Sequence, residues 1–195
     1  PLNSKITMDM RDKAEEIVQG FEQVTGRTPR LQNTPGKPGE VLGKHTDEPI
    51  KHAEYRSILG KIMFYVTKIS PECSFACGQL TRHMHSPGDE HWTAMERLVG
   101  YLKGKKDHKL TLRRPLNLRV ISFGDASYGD CKDTRRSSTG DMHTIGGCLI
   151  SWRAQKTRFV CLSSTEAEYV ALTEVCKEQK FLSMLMSEVF TADLP

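Results

Sequence analysis

Apolar positions recur at helical spacing through much of the first half of the chain. Met10, Ala14, Ile17, Val18 and Phe21 share one face of Met8 to Phe21, which predicts an amphipathic helix. From Tyr55 the stripe resumes with Ile58, Leu59, Ile62, Met63, Val66 and Ile69, up to Pro71. A further helix is predicted from Pro71 to Met84. Ser86-Pro87 then reads as a cap before a proline at the first helical position, followed by Trp92, Met95, Leu98, Val99 and Leu102. Three successive amphipathic helices of this kind are expected to pack on one another. Between Gly26 and Pro49, prolines at positions 29, 35, 38 and 49 deny both helix and sheet ladders, so this stretch is predicted to be an exposed connector.

After Gly104 the period changes from helical to alternating. Leu110 and Leu112 alternate with polar neighbours, and Leu118 to Phe123 and Met142 to Trp152 are rich in strand-forming residues, with a third candidate strand at Thr157 to Leu162. The stretch LSSTEAEYVALTEV, Leu162 to Val175, then opens a helix: Ser163-Ser164-Thr165 is a start signal, and Ala167, Val170, Ala171 and Val175 keep helical spacing. Phe181, Leu182, Leu185, Met186 and Val189 extend it toward Phe190. The pattern changes near Pro115, giving three expected parts: residues 1–52, a 53–115 helical region and a 116–195 α/β region.

Composition narrows the class without naming a function. The 195 residues are 37% hydrophobic and 27% charged, the balance of a protein with a real core. No apolar run approaches the roughly 18 to 20 residues that cross a bilayer, and no charged-then-apolar leader is visible; a membrane partner is not expected. Six scattered cysteines lack a repeating spacing and read as reduced thiols in a reducing, intracellular compartment. Cys73, Cys77, His83, His85 and His91 fit no common zinc spacing. Trp92 and Trp152 are expected core anchors. The net charge of +4 is compatible with a polyanionic partner but too small to demonstrate one. Phosphate-binding glycine loops, heptads and internal repeats are absent from the sequence.

Four motifs in order carry more information. The run FGDASYGDCKDTRRSSTGDMHTIGGCLISWRAQKTRFVCLSSTEAEYVAL resembles the ribonuclease H region in the Pol polyprotein of copia-type LTR retrotransposons. That region has an aromatic-x-Asp strand, an Arg-Arg-Ser-x-x-Gly turn, a Gly-Gly-x-x-Ile-Ser-Trp strand and a Ser-Ser-Thr-Glu-Ala-Glu-Tyr helix start. The preceding segment, from Tyr55-Arg56-Ser57 to Tyr101-Leu102-Lys103-Gly104, is similar to the thumb and connection region of the same polyproteins. Residues 1–52 resemble the end of the palm only loosely. The resemblance implies an α/β fold: a ribonuclease H-like mixed sheet with a flanking helix, truncated, preceded by an α-helical thumb and connection region.

It also implies a chemistry. Cleaving the RNA strand of an RNA/DNA hybrid with two Mg²⁺ or Mn²⁺ ions takes three or four carboxylates, because these ions want oxygen ligands and sit about 4 Å apart. Asp125 and Glu168 occupy the positions of the family's first two catalytic and metal-binding acids. Read without the resemblance, they are ordinarily a strand-end turn residue and a solvated helix face. The family's third acid, in an Asp-Asn motif, and its fourth have no counterpart in this sequence, so metal binding is expected to be weak and the chain inactive or nearly so by itself. The Tyr-x-Asp-Asp turn of polymerases is absent, and Ser127-Tyr128 replaces the frequent Asp-Trp. Arg135, Arg136, Ser164, Thr165, Lys105 and Lys106 are the expected contacts to nucleic acid, through phosphates and 2′-hydroxyls. The rest of Pol is the expected protein partner. A non-catalytic nucleic-acid-binding module and a decayed retroelement remnant are the alternatives.

Overall fold

The computed structural model describes residues 5–114 and 117–190. The elements in order are β1 (Lys5–Asp9), α1 (Arg11–Thr25), α2 (His52–Ile69), a short 3₁₀ turn (Pro71–Cys73), α3 (Ser74–Thr81), α4 (Asp89–Gly104), β2 (Lys109–Arg113), β3 (Val120–Ser127), β4 (Ser138–Ile145), β5 (Cys148–Lys156) and α5 (Ser164–Val189). β1 pairs with β2, while β3, β4 and β5 form a second sheet in that order. The chain divides into two compact units, a helical one of Met8–Leu110 with Cys131–Asp133 and a strand-bearing one of Pro1–Thr7, Thr111–Asp130 and Thr134–Pro195. The boundary expected near Pro115 falls outside the described residues.

The helical unit is built as its stripes dictate. Ala14, Ile17 and Phe21 of α1 join Tyr55, Ile58, Leu59, Ile62 and Val66 of α2, and Met95, Leu98, Val99 and Leu102 of α4, in one buried cluster. Trp92 anchors it: Tyr55 meets its ring edge-on at 5.3 Å between centroids, and its indole N–H donates to Ile50 O at 2.9 Å. An aromatic pair in this T-shaped geometry adds to the area both rings bury. Tyr55, fully buried, donates its hydroxyl to Leu80 O (3.1 Å), as a buried phenol must to avoid an unmet donor.

Two expectations change here. The cap of α4 is Gly88, not Ser86: His91 Nδ1 accepts from the Gly88 N–H at 2.9 Å, and its Nε2 donates to Gly43 O at 2.9 Å. The proline-rich segment 26–50 lacks regular structure, as expected, yet it is not simply exposed. Leu42 is buried, Thr34 Oγ1 accepts from Arg97 Nη2 (2.7 Å), and Ile50 N donates to Pro87 O (2.8 Å). A side chain at Gly100 would put its Cβ 2.0 Å from Arg30 O, so a glycine inside α4 admits the backbone of this strap.

In the strand-bearing unit β3–β4 and β4–β5 are both antiparallel. The expected mixed sheet is therefore represented, among the described residues, by antiparallel pairs alone. The run Met142 to Trp152 is not one strand. Gly146 and Gly147, with φ of 56° and 82°, turn β4 into β5 with Ile145 opposite Cys148. Two consecutive left-handed residues make the tight hairpin turn that matches strand twist. A register shift follows, with His143 opposite Ser151 but Thr144 opposite Leu149, leaving Ile150 as a bulge residue. The third candidate strand, Thr157 to Leu162, is irregular instead. Thr157 Oγ1 donates to Phe159 O (2.7 Å) and accepts from Ser137 N (3.1 Å), closing a local turn that competes with extended pairing.

The two faces of this sheet differ in an unusual direction. Direct cross-strand partners share a face, and successive residues alternate. Gly124, whose added Cβ would sit 2.3 Å from Val175 Cγ2, marks the face under α5. Its row runs Gly124, Asp141, Arg153, and the next runs Ser122, His143, Ser151. Those positions are polar. The opposite face carries Phe123, Met142 and Trp152 side by side, with Phe123 51% and Met142 42% exposed. Trp152, expected in the core, lies half-buried on this outer face.

Candidate metal and nucleic-acid site

α5 begins with a side-chain cap. Ser163 Oγ accepts from Glu166 N (3.1 Å), and the Glu166 carboxylate accepts from Leu162 N (2.5 Å). This is close to a capping box, reaching one residue further back. Glu166 is therefore occupied in starting the helix, which leaves Glu168 as the acid of this turn with no structural duty. Ala167, Ala171, Val175 and Leu182 form the buried stripe of α5, and Glu168 stands one position beyond it, exposed.

Asp125 lies in β3 opposite Gly140 and is also exposed. Being adjacent to Gly124, it starts from the face away from α5. Tyr128 OH donates to Leu162 O at 3.3 Å, which ties the residue after β3 to the residue before the α5 cap. Neither has a hydrogen-bond or ion-pair partner among the described residues. No three His, Cys, Asp or Glu residues converge on a common point among the described residues. The donors present therefore do not fit a two-ion magnesium cage, which needs more oxygen ligands than two side chains supply. Asp193 lies outside the described residues.

The expected nucleic-acid contacts divide between the units. Arg135, at φ 55°, is exposed, as are Ser164 and Thr165, while Arg136 is half-buried. In the helical unit Lys105 is exposed, whereas Lys106 is held by Glu15 at 3.2 Å. Lys103 meets Glu22 at 3.9 Å and Lys109 meets Asp9 at 2.8 Å. Acids of β1 and α1 thus offset the charge of these lysines.

The sequence reading missed a buried polar group under α5. Asp141 Oδ2 accepts from both Nε and Nη2 of Arg153 at 3.0 Å, and Asp141 Oδ1 stands 3.4 Å from His143 Nε2. His143 Nδ1 meets Ser122 Oγ at 2.7 Å, and Glu178 of α5 accepts from Ser151 Oγ at 3.3 Å. A buried carboxylate needs such pairing to be tolerated. Residue spacing held a signal, since Asp141 and His143 alternate toward one face of β4. His83 and His91 of the helical unit stack at 4.2 Å; burial, with His91 next to it, pushes the His83 imidazole down to about 4. Burial also raises the Cys77 thiol to about 12 and the Cys73 thiol further, so both are inert core thiols.

Known proteins share this arrangement of sequence. The chain is 34% identical over 136 residues to the retrovirus-related Pol polyprotein from transposon RE2 of Arabidopsis thaliana, covering 70% of this chain and 9% of that protein. It is 31% identical over 163 residues to the corresponding polyprotein from transposon RE1 of the same plant, covering 83% and 11%. Secreted RxLR effector protein 161 of Plasmopara viticola is 33% identical over 135 residues, covering 69% of this chain and 95% of that protein. No family model and no solved structure matches the chain. What these matches define is a segment of a retroelement polyprotein. The chain belongs to the family of copia-type retrotransposon Pol polyproteins, and it spans about a tenth of the length of the two Pol polyproteins compared here.

Proposed function

We propose that this chain is the part of a Pol protein that contributes Asp125 and Glu168 to a ribonuclease H-type centre, and that by itself it binds nucleic acid without cutting it. In the intact protein the reaction is endonucleolytic hydrolysis of the RNA strand of an RNA/DNA hybrid, with Mg²⁺ or Mn²⁺ supplying charge neutralisation at the phosphate. The reading rests on the exposed carboxylates of Asp125 near the end of β3 and Glu168 near the start of α5, segments tied by the Tyr128–Leu162 hydrogen bond, in a chain whose relatives are Pol polyproteins. Lack of a third converging ligand among the described residues supports the non-cutting part. Arg135, Arg136, Ser164 and Thr165 belong to the same compact unit as the two acids and suit a phosphate backbone and 2′-hydroxyls. The outward apolar row of Phe123, Met142 and Trp152 is read as the surface on which other parts of the polyprotein pack, since the relatives' polyproteins are about ten times as long.

A hybrid-cleavage assay with Mg²⁺ or Mn²⁺, run beside a salt-series titration of an uncleavable hybrid, tests this reading. The expected result is binding that weakens steeply with salt and no turnover by the chain. In the intact Pol protein, turnover is lost on Asp125→Asn or Glu168→Gln. Robust turnover by the chain that both substitutions abolish overturns its inactivity, and binding indifferent to salt overturns the nucleic-acid reading.

A further inference from the structure

A second feature of the strand-bearing unit lies on the α5-facing side of the sheet, the face opposite the one from which Asp125 starts. α5 packs over β3 and β4, and the end of β5 with its following turn borders a cavity of about 380 Å³ against the middle of α5. That volume falls in the range of about 300 to 1,000 Å³ typical of small-molecule sites. Its lining is unlike an ordinary surface cleft. Lys156, Arg158 and Lys177 bring three cations against the single carboxylate of Glu174, and Phe159 supplies an aromatic ring.

Lys156 Nζ donates to Thr134 Oγ1 at 3.4 Å, so this cation is already partly engaged at the rim. Thr157 closes its hydroxyl onto Phe159 O and accepts from Ser137 N, so the turn presenting Arg158 and Phe159 is held at both ends. Phe159 is 49% exposed in spite of its size, an arrangement that leaves a ring face available rather than packed. Lys177 donates to Glu174 at 2.7 Å, and both extend from α5 one turn apart on the cavity side. The Lys177 hydrogen bond holds the Glu174 carboxyl below its usual range, and Arg153 and Arg158 add to the effect. The lining therefore keeps a net positive formal charge after Glu174 is counted.

We propose that this cavity binds a nucleotide, its phosphates meeting Arg158, Lys156 and Lys177 and its base stacking on Phe159. Cations alone would suit any anion, and an aromatic ring alone any flat apolar group. A ligand that is at once polyanionic and aromatic uses both. A free nucleotide and an unpaired nucleotide of a single strand share this chemistry. The site does not depend on hybrid cleavage, because neither Asp125 nor Glu168 lines it.

The test is titration of the whole chain, with backbone amide resonances as the readout, against ATP, inorganic pyrophosphate and a short single-stranded oligonucleotide. The expected result is saturable shifts at 155–159 and 170–177 with ATP. Arg158→Ala should weaken ATP and pyrophosphate alike, by about tenfold. Phe159→Ala should weaken ATP by about tenfold, within the range of base–aromatic stacking, and leave pyrophosphate unchanged. Tighter binding of the oligonucleotide, with the same residues shifting, assigns a strand as the source; equal or weaker binding assigns the free nucleotide. Absence of saturable shifts at these residues overturns the proposal. So does ATP binding indifferent to both substitutions. RNA/DNA hybrid affinity should be unaltered by Phe159→Ala, so failure here and failure of the hybrid-binding reading are separable results.

Discussion

The helical unit and the strand-bearing unit solve the burial problem in opposite ways. In the first, the stripes of α1, α2 and α4 meet in one sealed apolar cluster, with Leu59, Ile62 and Leu98 wholly buried. In the second, α5 lies over a row of serine, aspartate, histidine and arginine while Phe123 and Met142 stand exposed on the other side. A self-sufficient sheet puts its apolar face inward. The difference teaches that the helical unit carries its stability in its own contacts, whereas the strand-bearing unit presents a face suited to another partner.

The largest test of this contrast is a truncation in the sealed core. Leu59→Ala should cost about 2–5 kcal/mol, lost transfer energy plus a cavity, and amide exchange in α2 and α4 should accelerate accordingly. A loss under about 1 kcal/mol would mean that the core is loose. Acidification separates the units next. The folded-state value of His83 is depressed to about 4 from 6.5, so the unfolded state binds more protons between those values. Its contribution is full above about pH 6.5 and falls as pH drops toward 4, by on the order of 2 kcal/mol between pH 7 and pH 5. Exchange protection in the helical unit should fall over that window, and His83→Phe should reduce the response, with the remainder coming from His91, which burial also holds below its usual value. The smallest effect is expected on the bare face. Phe123→Ser should change stability by no more than about 0.5 kcal/mol while reducing binding of an apolar dye; a loss above about 2 kcal/mol would show that this face is already covered.

Much of this architecture was legible beforehand. The helices were readable because period-3.6 stripes such as Ile58, Leu59, Ile62 and Val66 admit one backbone solution. Gly146-Gly147 escaped notice because Ile145, Cys148 and Leu149 continue the apolar character across the turn, and composition hides a reversal that backbone geometry requires. Thr157 to Leu162 looked extended by propensity, but a threonine hydroxyl bonded two residues ahead won locally. Pro29 to Pro49 announced irregular backbone without saying that it straps α4; Gly100, inside a helix with no need of flexibility, was the available sign. At the candidate site, Ser163 and Glu166 were readable as a helix start from spacing alone. Asp125 and Glu168 stood out only through resemblance to a family, since exposed acids carry no periodic signature. The polar row under α5 was visible as alternation in Ser122, Asp141 and His143. Its inward direction was not, because the ordinary rule for half-buried strands points the other way.

Among the described residues the strand order 3-4-5 leaves β4 flanked on both sides and gives β3 and β5 one unpaired rail each. Eight residues of β3 and nine of β5 hold amide and carbonyl groups in the spacing that another extended chain would match, and neither contains proline to discourage it. Kept at high concentration without its neighbours, this segment would therefore tend to associate edge to edge along these two strands, so handling it calls for dilution or a capping strand supplied in trans.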